Sequence, residues 1–273
     1  MRFSLFLSFF LFSCWLVSAQ EAKLMSYNIR LNTPSDGEDN WEYRKQDLVK
    51  YITSKTPDFL GIQEALLDQN TYLDSALVDY QFIGVGRDDG KLKGEFMSIF
   101  YNDNKWKLIQ DSTIWLSDQP QTVTKGWDAA CFRTATIGTF ENKDNNQRII
   151  VINTHFDHAG QTARVKSAEL LDEVVADLPS NLPIVLLGDF NVEPSNEAYS
   201  ILTSTFTDTY DQRGRDFSGT FNGFQLEGPF SRRIDYIFHF GKGKVVKQTM
   251  ETPKTENGRQ LSDHFPIFCT LQF

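Results

Sequence analysis

The sequence is poor in cysteine and has no linker rich in proline, glycine or serine. Only Cys14, Cys131 and Cys269 occur among 273 residues, and cysteines this far apart form neither a disulfide framework nor a zinc-binding pattern. We expect Cys131 and Cys269 to be buried strand residues, and whether they pair is left open. The missing linker predicts a single α/β domain over residues 20–273.

Positive charge is also scarce. The formal net charge is −9, with 27 Lys and Arg against 36 Asp and Glu, and there is no long basic run. Proteins that bind nucleic acid without sequence preference usually carry a basic patch that neutralises phosphates. The acidic balance therefore disfavours tight binding of this kind. It does not exclude a nuclease, because a metal ion can bridge an acidic surface to phosphate.

The N-terminal segment combines one early positive charge, a mostly apolar run over residues 5–17 and two small residues. This pattern predicts a secretory signal peptide over residues 1–19, and hence an exported protein, periplasmic or extracellular. The apolar run is shorter than the roughly 18 residues that a membrane span needs, so we expect no transmembrane segment. Lipid attachment at Cys14 is a minor alternative.

Short apolar runs rich in Ile, Val and Phe are typical of buried strands. They lie at Leu24–Ile29, Phe59–Ile62, Met97–Tyr101, Ile149–Asn153, Ile184–Leu187, Ile234–Phe238 and Phe265–Leu271. Between them, Arg44–Lys55 and Arg164–Asp177 place apolar residues on one face and predict amphipathic helices. The pair Met97–Tyr101 and Lys105–Ile109 predicts a hairpin. Strands that alternate with helices predict mixed sheets covered by helices, with catalytic groups on loops at the strand ends.

Nearly every predicted strand is followed or bounded by polar side chains. These are Asn28, Glu64, His155 with Asp157, Asp189 with Asn191, Asp235, and Asp263 with His264. One such residue is an ordinary turn or cap residue, because Asp and Asn bond nearby backbone amides. Strands that converge in a sheet would gather the whole set into carboxylates flanked by imidazoles. Such oxygen donors favour Mg²⁺, Mn²⁺ or Ca²⁺, with zinc a weaker alternative through His155 and His264.

Six short runs carry a resemblance to a known family. They are Ser26-Tyr-Asn-Ile-Arg30, Gln63-Glu64, Asn153-Thr-His-Phe-Asp157, Gly188-Asp-Phe-Asn191, Arg233-Ile-Asp-Tyr-Ile237 and Ser262-Asp-His-Phe-Pro266. Their order resembles the endonuclease/exonuclease/phosphatase superfamily, DNase I-like phosphoesterases that include abasic-site endonucleases, inositol polyphosphate 5-phosphatases, sphingomyelinases and deadenylases. The resemblance implies a four-layer α/β sandwich of two packed mixed sheets flanked by helices. It also implies in-line attack of water on phosphorus at one edge of the sheets.

The resemblance further implies which residues act on the phosphate ester. His264 is the expected general base and Asp235 its orienting partner, since a neutral imidazole accepts a proton from water near neutral pH. Glu64 is the expected metal ligand, with Asn28 and Asp263 beside it. The metal polarises a phosphoryl oxygen and neutralises developing charge. Whether one or two metal ions bind is left open.

Further residues are expected to position the phosphate and the water. Asn191 orients phosphate oxygens or the nucleophile, and Asp189 positions the water or binds metal. His155 is expected to form a second dyad with Glu95, as in the pancreatic-type deoxyribonucleases. Arg30 stands where abasic-site endonucleases have an acidic residue, and its fork of donors suits phosphate. The expected substrate contacts are Arg30, Asn191 and Asp157.

Substrate specificity is expected in the insertions between the runs, at residues 33–41, 87–93 and 126–133. Arg87, Lys91 and Lys93 place positive charge beside Glu95, while Trp41 and Trp127 could stack on a ring or sugar. The alternative is that the basic loop is a solvated hairpin and both Trp are packing residues. A small anionic substrate fits such a patch better than duplex DNA.

Three functional classes therefore remain. The first is an exported, metal-dependent hydrolase of phosphate mono- or diesters of a small or lipid-like substrate, expected to be a monomer. The second is a secreted nuclease, and the third a catalytically silent binding module. The third is disfavoured because the metal ligand, the base and its orienting acid are all present. The fold alone cannot choose among them.

Overall fold

The computed structural model describes residues 20–210 and 219–273, so the expected signal segment, residues 1–19, lies outside the described part. The strands are β1 (Glu21–Asn28), β2 (Phe59–Ala65), β3 (Tyr80–Ile83), β4 (Phe96–Asn102), β5 (Trp106–Trp115), β6 (Thr134–Asn142), β7 (Arg148–His155), β8 (Ile184–Asp189), β9 (Thr207–Asp208), β10 (Asp235–Phe240), β11 (Lys244–Met250) and β12 (Ile267–Gln272). The α-helices are α1 (Trp41–Lys55), α2 (Leu67–Ala76), α3 (Gln161–Asp177) and α4 (Glu197–Thr205), and a 3-10 helix spans Pro34–Asp39.

The strands form two six-stranded sheets. One has the order β11-β12-β1-β2-β4-β3 and the other β5-β6-β7-β8-β10-β9. Both are mixed, because β1 with β2 and β7 with β8 are parallel pairs among antiparallel neighbours. Helices α1 and α2 pack on the outer face of the first sheet, and α3 and α4 on that of the second. The predicted four-layer α/β sandwich is confirmed.

Side chains that alternate between the two faces of the central strands explain why each sheet packs against helices on one face and against the other sheet on the other. In β7, Ile150 and Ile152 pack against the outer helices, whereas Val151 lies in the core between the sheets. Successive side chains of a strand point to opposite faces. Because both faces of this sheet are covered, its central strands are apolar on both sides.

Gly61 and Asn153 join the two sheets beneath one edge. A Cβ on Gly61 would lie 1.8 Å from Leu187 Cδ1, so a larger residue there would push the sheets apart. The fully buried Asn153 donates from Nδ2 to the carbonyl of Ile62 at 2.8 Å, and its Oδ1 accepts from Gln63 Nε2 at 2.7 Å. These bonds fix the ends of β2 and β7 against each other.

Most sequence-based elements are confirmed, since all seven predicted strands and both predicted helices overlap observed ones. The hairpin of Met97–Tyr101 with Lys105–Ile109 is wrong. Strand β4 pairs with β2 and β3 on its two edges, so the chain crosses to the other sheet, where β5 pairs with β6. None of the helices in the described part of the chain is long and apolar enough to span a bilayer.

Two predicted side-chain environments also differ from the structure. Trp41 is 1% exposed and packs between α1 and the first sheet, so it cannot stack on a substrate. Cys269 is a buried β12 residue as predicted, but Cys131 lies half-buried in the loop before β6. Both cysteines are free thiols.

Candidate active site

The polar residues predicted at strand ends meet at one edge of the sandwich. Strand register places Asp189 opposite both His155 and Asp235, since β8 lies between β7 and β10. In the other sheet, β1 and β2 run parallel and end side by side at Asn28 and Gln63. The ends of the parallel pairs β1 with β2 and β7 with β8, together with the start of the antiparallel strand β10, therefore bring these groups together from distant points in the chain.

His264 and Asp235 form a buried dyad. The two side chains lie 2.9 Å apart, and because Asp235 Oδ2 is an acceptor, His264 donates from Nδ1. This leaves Nε2 of His264 facing the site, 3.7 Å from Asp189 Oδ2. Burial alone would lower the pKa of His264, but Asp235, Asp189 and Asp263 together raise it well above its ordinary value. The dyad therefore attracts a proton strongly.

Asn28 connects the acidic residues that face the dyad. Its Nδ2 donates to Glu64 Oε1 and to Asp189 Oδ2, each at 3.0 Å, while its Oδ1 accepts from the backbone N–H of Arg30 at 3.0 Å. Asn28 was predicted as a metal ligand. Asn28 thus holds two carboxylates in place through its Nδ2, while its Oδ1 accepts one hydrogen bond and keeps a second lone pair that a metal ion could take.

Glu64 owes its position to a local distortion of β2. The pairing of β2 with β4 is irregular between Ile62 and Ala65, and Glu64 has a φ of 66°. A side chain in this left-handed region costs on the order of 1–3 kcal/mol, and such bulges re-aim side chains near active sites. Arg30 and Asn191, with φ of 58° and 50°, are in the same region. Strained backbone is thus concentrated around this pocket.

The acidic residues Glu64, Asp189, Asp235 and Asp263, which we call the carboxylate cluster, have the chemistry of a cation site. Ligand atoms of Glu64, His155 and Asp189 lie within 4.8 Å of one another. Burial raises the pKa of Asp189 to about 7, and burial also raises that of Asp263. Buried carboxylates this close together are stable as anions only with compensating positive charge. The donors are mostly hard oxygens, which suit a divalent metal ion.

His155 and Glu95 do not form the predicted dyad here. Asn191 donates from Nδ2 to His155 Nε2 at 3.0 Å, so the imidazole carries its proton on Nδ1. That atom lies 3.9 Å from Glu95 Oε2, whereas Arg87 Nη1 donates to the same oxygen at 2.6 Å. Burial, followed by the positive charges of Arg133 and Arg87, lowers the pKa of His155 well below its usual value. His155 is therefore a neutral imidazole.

Arg30 lines the pocket but is already paired. Its Nε and Nη2 donate to the two carboxylate oxygens of Asp36 in the 3-10 helix at 3.1 and 3.0 Å. Glu64 and Asp263 lie 3.9 Å away on its other side. The side-chain hydrogen bond to Asp36 raises the pKa of Arg30 further. Arg30 thus places a fixed positive charge beside the carboxylate cluster.

Asp157, predicted as a substrate contact, does not line the pocket. It is 1% exposed, and its carboxylate accepts backbone N–H groups of Cys131, Ala159 and Gly160 at 3.2, 3.0 and 2.8 Å. Burial would raise its pKa, but these backbone bonds outweigh it and lower the pKa. Asp157 is a loop-anchoring residue, because a carboxylate with this many backbone donors has little capacity left for a ligand.

The pocket has a volume of about 500 Å³ and includes residues that the sequence patterns did not single out. These are Leu31, Cys131, Arg133, His158, Phe221, Arg232 and Ile234. Arg87 and Arg133 belong to two of the predicted specificity segments. Lys91, Lys93 and Trp127 lie away from the pocket. Phe221 packs edge-on against His264 with ring centroids 5.1 Å apart, and only proximity to the last motif in space could have identified it.

Comparisons with known proteins agree with this geometry. Two solved structures cover nearly all of the chain: an endonuclease/exonuclease/phosphatase from Bacteroides vulgatus is 34% identical over 92% of this chain and 98% of its own, with a TM-score of 0.87. A mannosyl-6-phosphatase from Bacteroides thetaiotaomicron is 35% identical over 92% of this chain and 100% of its own, with a TM-score of 0.85.

Curated relatives are more distant. Human nocturnin is 22% identical over 92% of this chain and 65% of its own length. The Ccr4 exoribonuclease subunit of Mycosarcoma maydis is 27% identical over 60% of this chain and 31% of its own. The chain thus spans less than two thirds of these two proteins. The sequence profile of the Endonuclease/Exonuclease/phosphatase family matches residues 25–264, and the chain belongs to this family of phosphoester hydrolases.

Proposed function

We propose that the protein hydrolyses the phosphate ester of a small polar substrate, with Mg²⁺ or Mn²⁺ held at the carboxylate cluster. The observation that carries this proposal is the His264–Asp235 dyad, whose free Nε2 faces Asp189 across the pocket at 3.7 Å. A base, its orienting acid and a group that can position water are thereby assembled at one point.

The proposed chemistry is in-line attack of water on phosphorus. A water bonded to both His264 Nε2 and Asp189 Oδ2 is held for attack, and His264 takes its proton while Asp235 stabilises the imidazolium. As the water oxygen bonds to phosphorus, the bond from phosphorus to the ester oxygen breaks, and the leaving alkoxide takes a proton from solvent and departs as the alcohol. Asn191 holds the neutral His155 in place, because its Nδ2 donates to His155 Nε2 at 3.0 Å and to the carbonyl of Phe156 at 3.1 Å. The Nδ1–H of His155 has no partner among the described residues and is left to donate to the phosphate. Glu64 and Asp263 would hold the metal ion, which when bound would neutralise charge on the phosphoryl oxygens.

The metal and the base are coupled in this proposal. His264 can accept a proton only if it starts neutral, yet the surrounding carboxylates raise its pKa. Positive charge at the carboxylate cluster opposes that effect. Mg²⁺ or Mn²⁺ suits the oxygen donors better than zinc, with Ca²⁺ a further candidate.

A sugar phosphate is our leading substrate class. The mannosyl-6-phosphatase relative shares 35% of its residues over 92% of this chain. The pocket of about 500 Å³ suits a ligand of this size. The net charge of −9 opposes association with long nucleic acid. The basic residues Lys91 and Lys93 also lie outside the pocket.

A metal-supplemented activity screen tests this function. Mannose 6-phosphate, a phosphodiester, sphingomyelin and DNA are each incubated with chelated enzyme and with added Mg²⁺, Mn²⁺, Ca²⁺ or Zn²⁺. We expect turnover of the small ester with Mg²⁺ or Mn²⁺, and none with His264→Ala, which controls for contaminating phosphatase. Turnover of DNA alone would favour the secreted nuclease. Full activity in excess chelator would contradict the metal-dependent mechanism.

Export is a separate part of the proposal, motivated by the signal-like segment at residues 1–19. Expression of the full chain followed by fractionation and N-terminal sequencing tests it. We expect the exported form to begin at Gln20 and to behave as a monomer in gel filtration. Retention of residues 1–19, or recovery of a chain with lipid at Cys14, would contradict the proposed cleavage site.

A further inference from the structure

Three nitrogen donors surround one carboxylate oxygen of Glu95, and only one of them is bonded to it. Its Oε2 accepts from Arg87 Nη1 at 2.6 Å, while Arg133 Nη1 and His155 Nδ1 each stand 3.9 Å from the same atom. Both of these nitrogens, and Nε of Arg87, are buried without a hydrogen-bond partner in the part of the chain that the structure describes. Buried donors are nearly always paired, so donors left open in a pocket call for a ligand.

The two arginines are held in position by the fold. Arg133 is 5% exposed, and its remaining nitrogens are engaged, with Nη2 3.0 Å from His158 Nδ1 and Nε 3.4 Å from Asp157 Oδ2. Arg87 is fixed through its backbone, because its carbonyl accepts from the indole N–H of Trp115 at 2.8 Å. The nitrogens of these two arginines that are buried and left open among the described residues are Nη1 of Arg133, 3.9 Å from Glu95 Oε2, and Nε of Arg87, 3.7 Å from Asp88 Oδ1.

We propose that Arg87 and Arg133 bind the terminal oxygens of a phosphomonoester dianion, which makes the enzyme selective for monoesters over diesters. This proposal rests on the proposed phosphoesterase function and deepens it. A monoester carries three terminal oxygens and a second negative charge. In a diester, a second ester group replaces one of those oxygens. Planar guanidinium forks suit the extra charged oxygen especially well.

The position of the pair supports this assignment. Asp189 Oδ2 lies 3.4 Å from His155 Nε2 and 3.7 Å from His264 Nε2, and His155 Nδ1 lies 3.9 Å from Glu95 Oε2. His155 thus links the carboxylate cluster to Glu95 and the two arginines around one pocket. The carboxylate cluster and its metal ion would contact phosphoryl oxygens that monoesters and diesters both have. The two arginines would contact the additional charged oxygen that only a monoester has.

The test compares an aryl phosphomonoester with the corresponding aryl phosphodiester, both under saturating Mg²⁺. The variants are Arg87→Gln, Arg133→Gln and Arg133→Lys, and the control is Lys91→Gln, which removes an exposed charge from the same loop outside the pocket. We expect kcat/KM for the monoester to fall about 10- to 100-fold in both Gln variants. We expect the diester to change little, and Lys91→Gln to match the parent protein. Arg133→Lys should recover only part of the loss, because Lys lacks the fork.

A binding measurement without turnover keeps the proposal testable if a variant is unstable or inactive. Inorganic phosphate and dimethyl phosphate are titrated by calorimetry into the metal-loaded parent protein and into Arg87→Gln. The parent should bind phosphate more tightly, and the variant should lose that preference. Equal losses for both esters, or an unchanged preference in the titration, would overturn the arginine subsite while leaving the hydrolase intact. A parent that hydrolyses neither ester would overturn the hydrolase, and the titration would still decide the subsite.

Discussion

The two sides of the pocket are built differently. The carboxylate cluster and its dyad rest largely on strand ends, with partners at 2.9–3.0 Å such as Asp235 to His264 and Asn28 to Asp189. The opposite side, formed by Arg87, Glu95 and Arg133, rests on loops or loop ends and leaves several buried donors open. Strand register thus fixes the positions of the proposed catalytic residues, while loops present the residues that contact the rest of the substrate. Related proteins can therefore share the catalytic residues and differ in the residues that select the substrate.

The largest loss of kcat is expected at the His264–Asp235 dyad, because without the base the other residues of the carboxylate cluster cannot activate the water. A positioned general base typically contributes about 10² to 10⁴ in rate, so His264→Ala should lower kcat by that order. Asp235→Asn keeps the shape but loses the charge that stabilises the imidazolium, and it can favour the wrong tautomer. The double variant should be scarcely worse than His264→Ala, because the pair acts as one unit.

Steady-state kinetics on the best substrate of the screen, with folding checked by circular dichroism, decides this prediction. Losses that multiply in the double variant would show that the two residues act separately. Near-native kcat in His264→Ala would make His155 the leading candidate for the base. The catalytic centre would then lie toward the arginine side, and the contrast between the two sides would fail.

Glu64 provides the second test of the carboxylate side. Glu64→Gln keeps the side-chain shape and the hydrogen bond from Asn28 but removes a hard anionic ligand. We expect Mg²⁺ affinity to fall by at least about tenfold, with the melting temperature of the metal-free protein little changed. Calorimetric titration of Mg²⁺ into the parent and variant measures this. A matched change at Glu173, an exposed acid on α3 that does not line the pocket, should leave Mg²⁺ affinity unaltered. Equal affinities in parent and Glu64→Gln would remove Glu64 from the metal site.

The sequence predicted the carboxylate side of the pocket better than the arginine side. Strand periodicity located the strands, and the ends of parallel neighbours share an edge, so the approach of His155 to Asp189 could be predicted. Asp235 begins the antiparallel β10 and reaches that edge through its register opposite Asp189, and Asn28 reaches it because the two sheets pack together. The arginine side could be predicted only in part, because the sequence placed Arg87 beside Glu95, as the 2.6 Å bond from Arg87 Nη1 to Glu95 Oε2 confirms, but it gave Arg133 no contact with either residue. Arg87 and Arg133 are far apart in sequence, and no periodic pattern records that their loops meet at Glu95.

Other errors have local causes. Asp157 follows His155 in a motif and is acidic, which suggested a substrate contact, but its position after a strand favours backbone capping. The hairpin at β4 and β5 failed because short loops join strands of different sheets as easily as strands of one sheet. Trp41 was offered as a stacking residue because its segment is polar, yet it begins α1 and its side chain is buried.

A substitution at Asp157 tests whether its hydrogen bonds to backbone N–H groups stabilise the loop that carries Arg133. Asp157→Ala should lower the free energy of unfolding near pH 7 by about 2–3 kcal/mol, because buried backbone donors lose their acceptor. The folded-state pKa of Asp157 lies below the ordinary value of 3.8. Its contribution is therefore present above that pH and is lost as the pH falls through the folded value. Urea unfolding from pH 7 to pH 3 should show the gap between parent and variant narrowing with acid.

Asp172 offers a control of opposite sign. Burial raises the pKa of Asp172 to about 6, so ionisation of this residue weakens the folded state. Asp172→Asn should therefore gain stability relative to the parent as the pH rises from the ordinary value of 3.8 to about 6, and the gain should stay constant at higher pH. If Asp157→Ala showed the same trend, the anchoring role of Asp157 would be wrong.

The smallest effect on turnover is expected from the cysteines, although Cys131 lines the pocket on the arginine side. Its structural contribution is a backbone N–H that donates to Asp157 Oδ2 at 3.2 Å, and serine keeps that bond. Cys269 lies in the core between the sheets, where burial raises its pKa to about 12. A thiol that stays protonated is not a nucleophile.

Cys131→Ser with Cys269→Ser should therefore retain parent-like kcat. Placing a hydroxyl at residue 269 should lower the free energy of unfolding by about 1–3 kcal/mol, and the single variants assign that loss to Cys269. Loss of turnover with unchanged stability in Cys131→Ser would instead make the thiol part of the substrate surface.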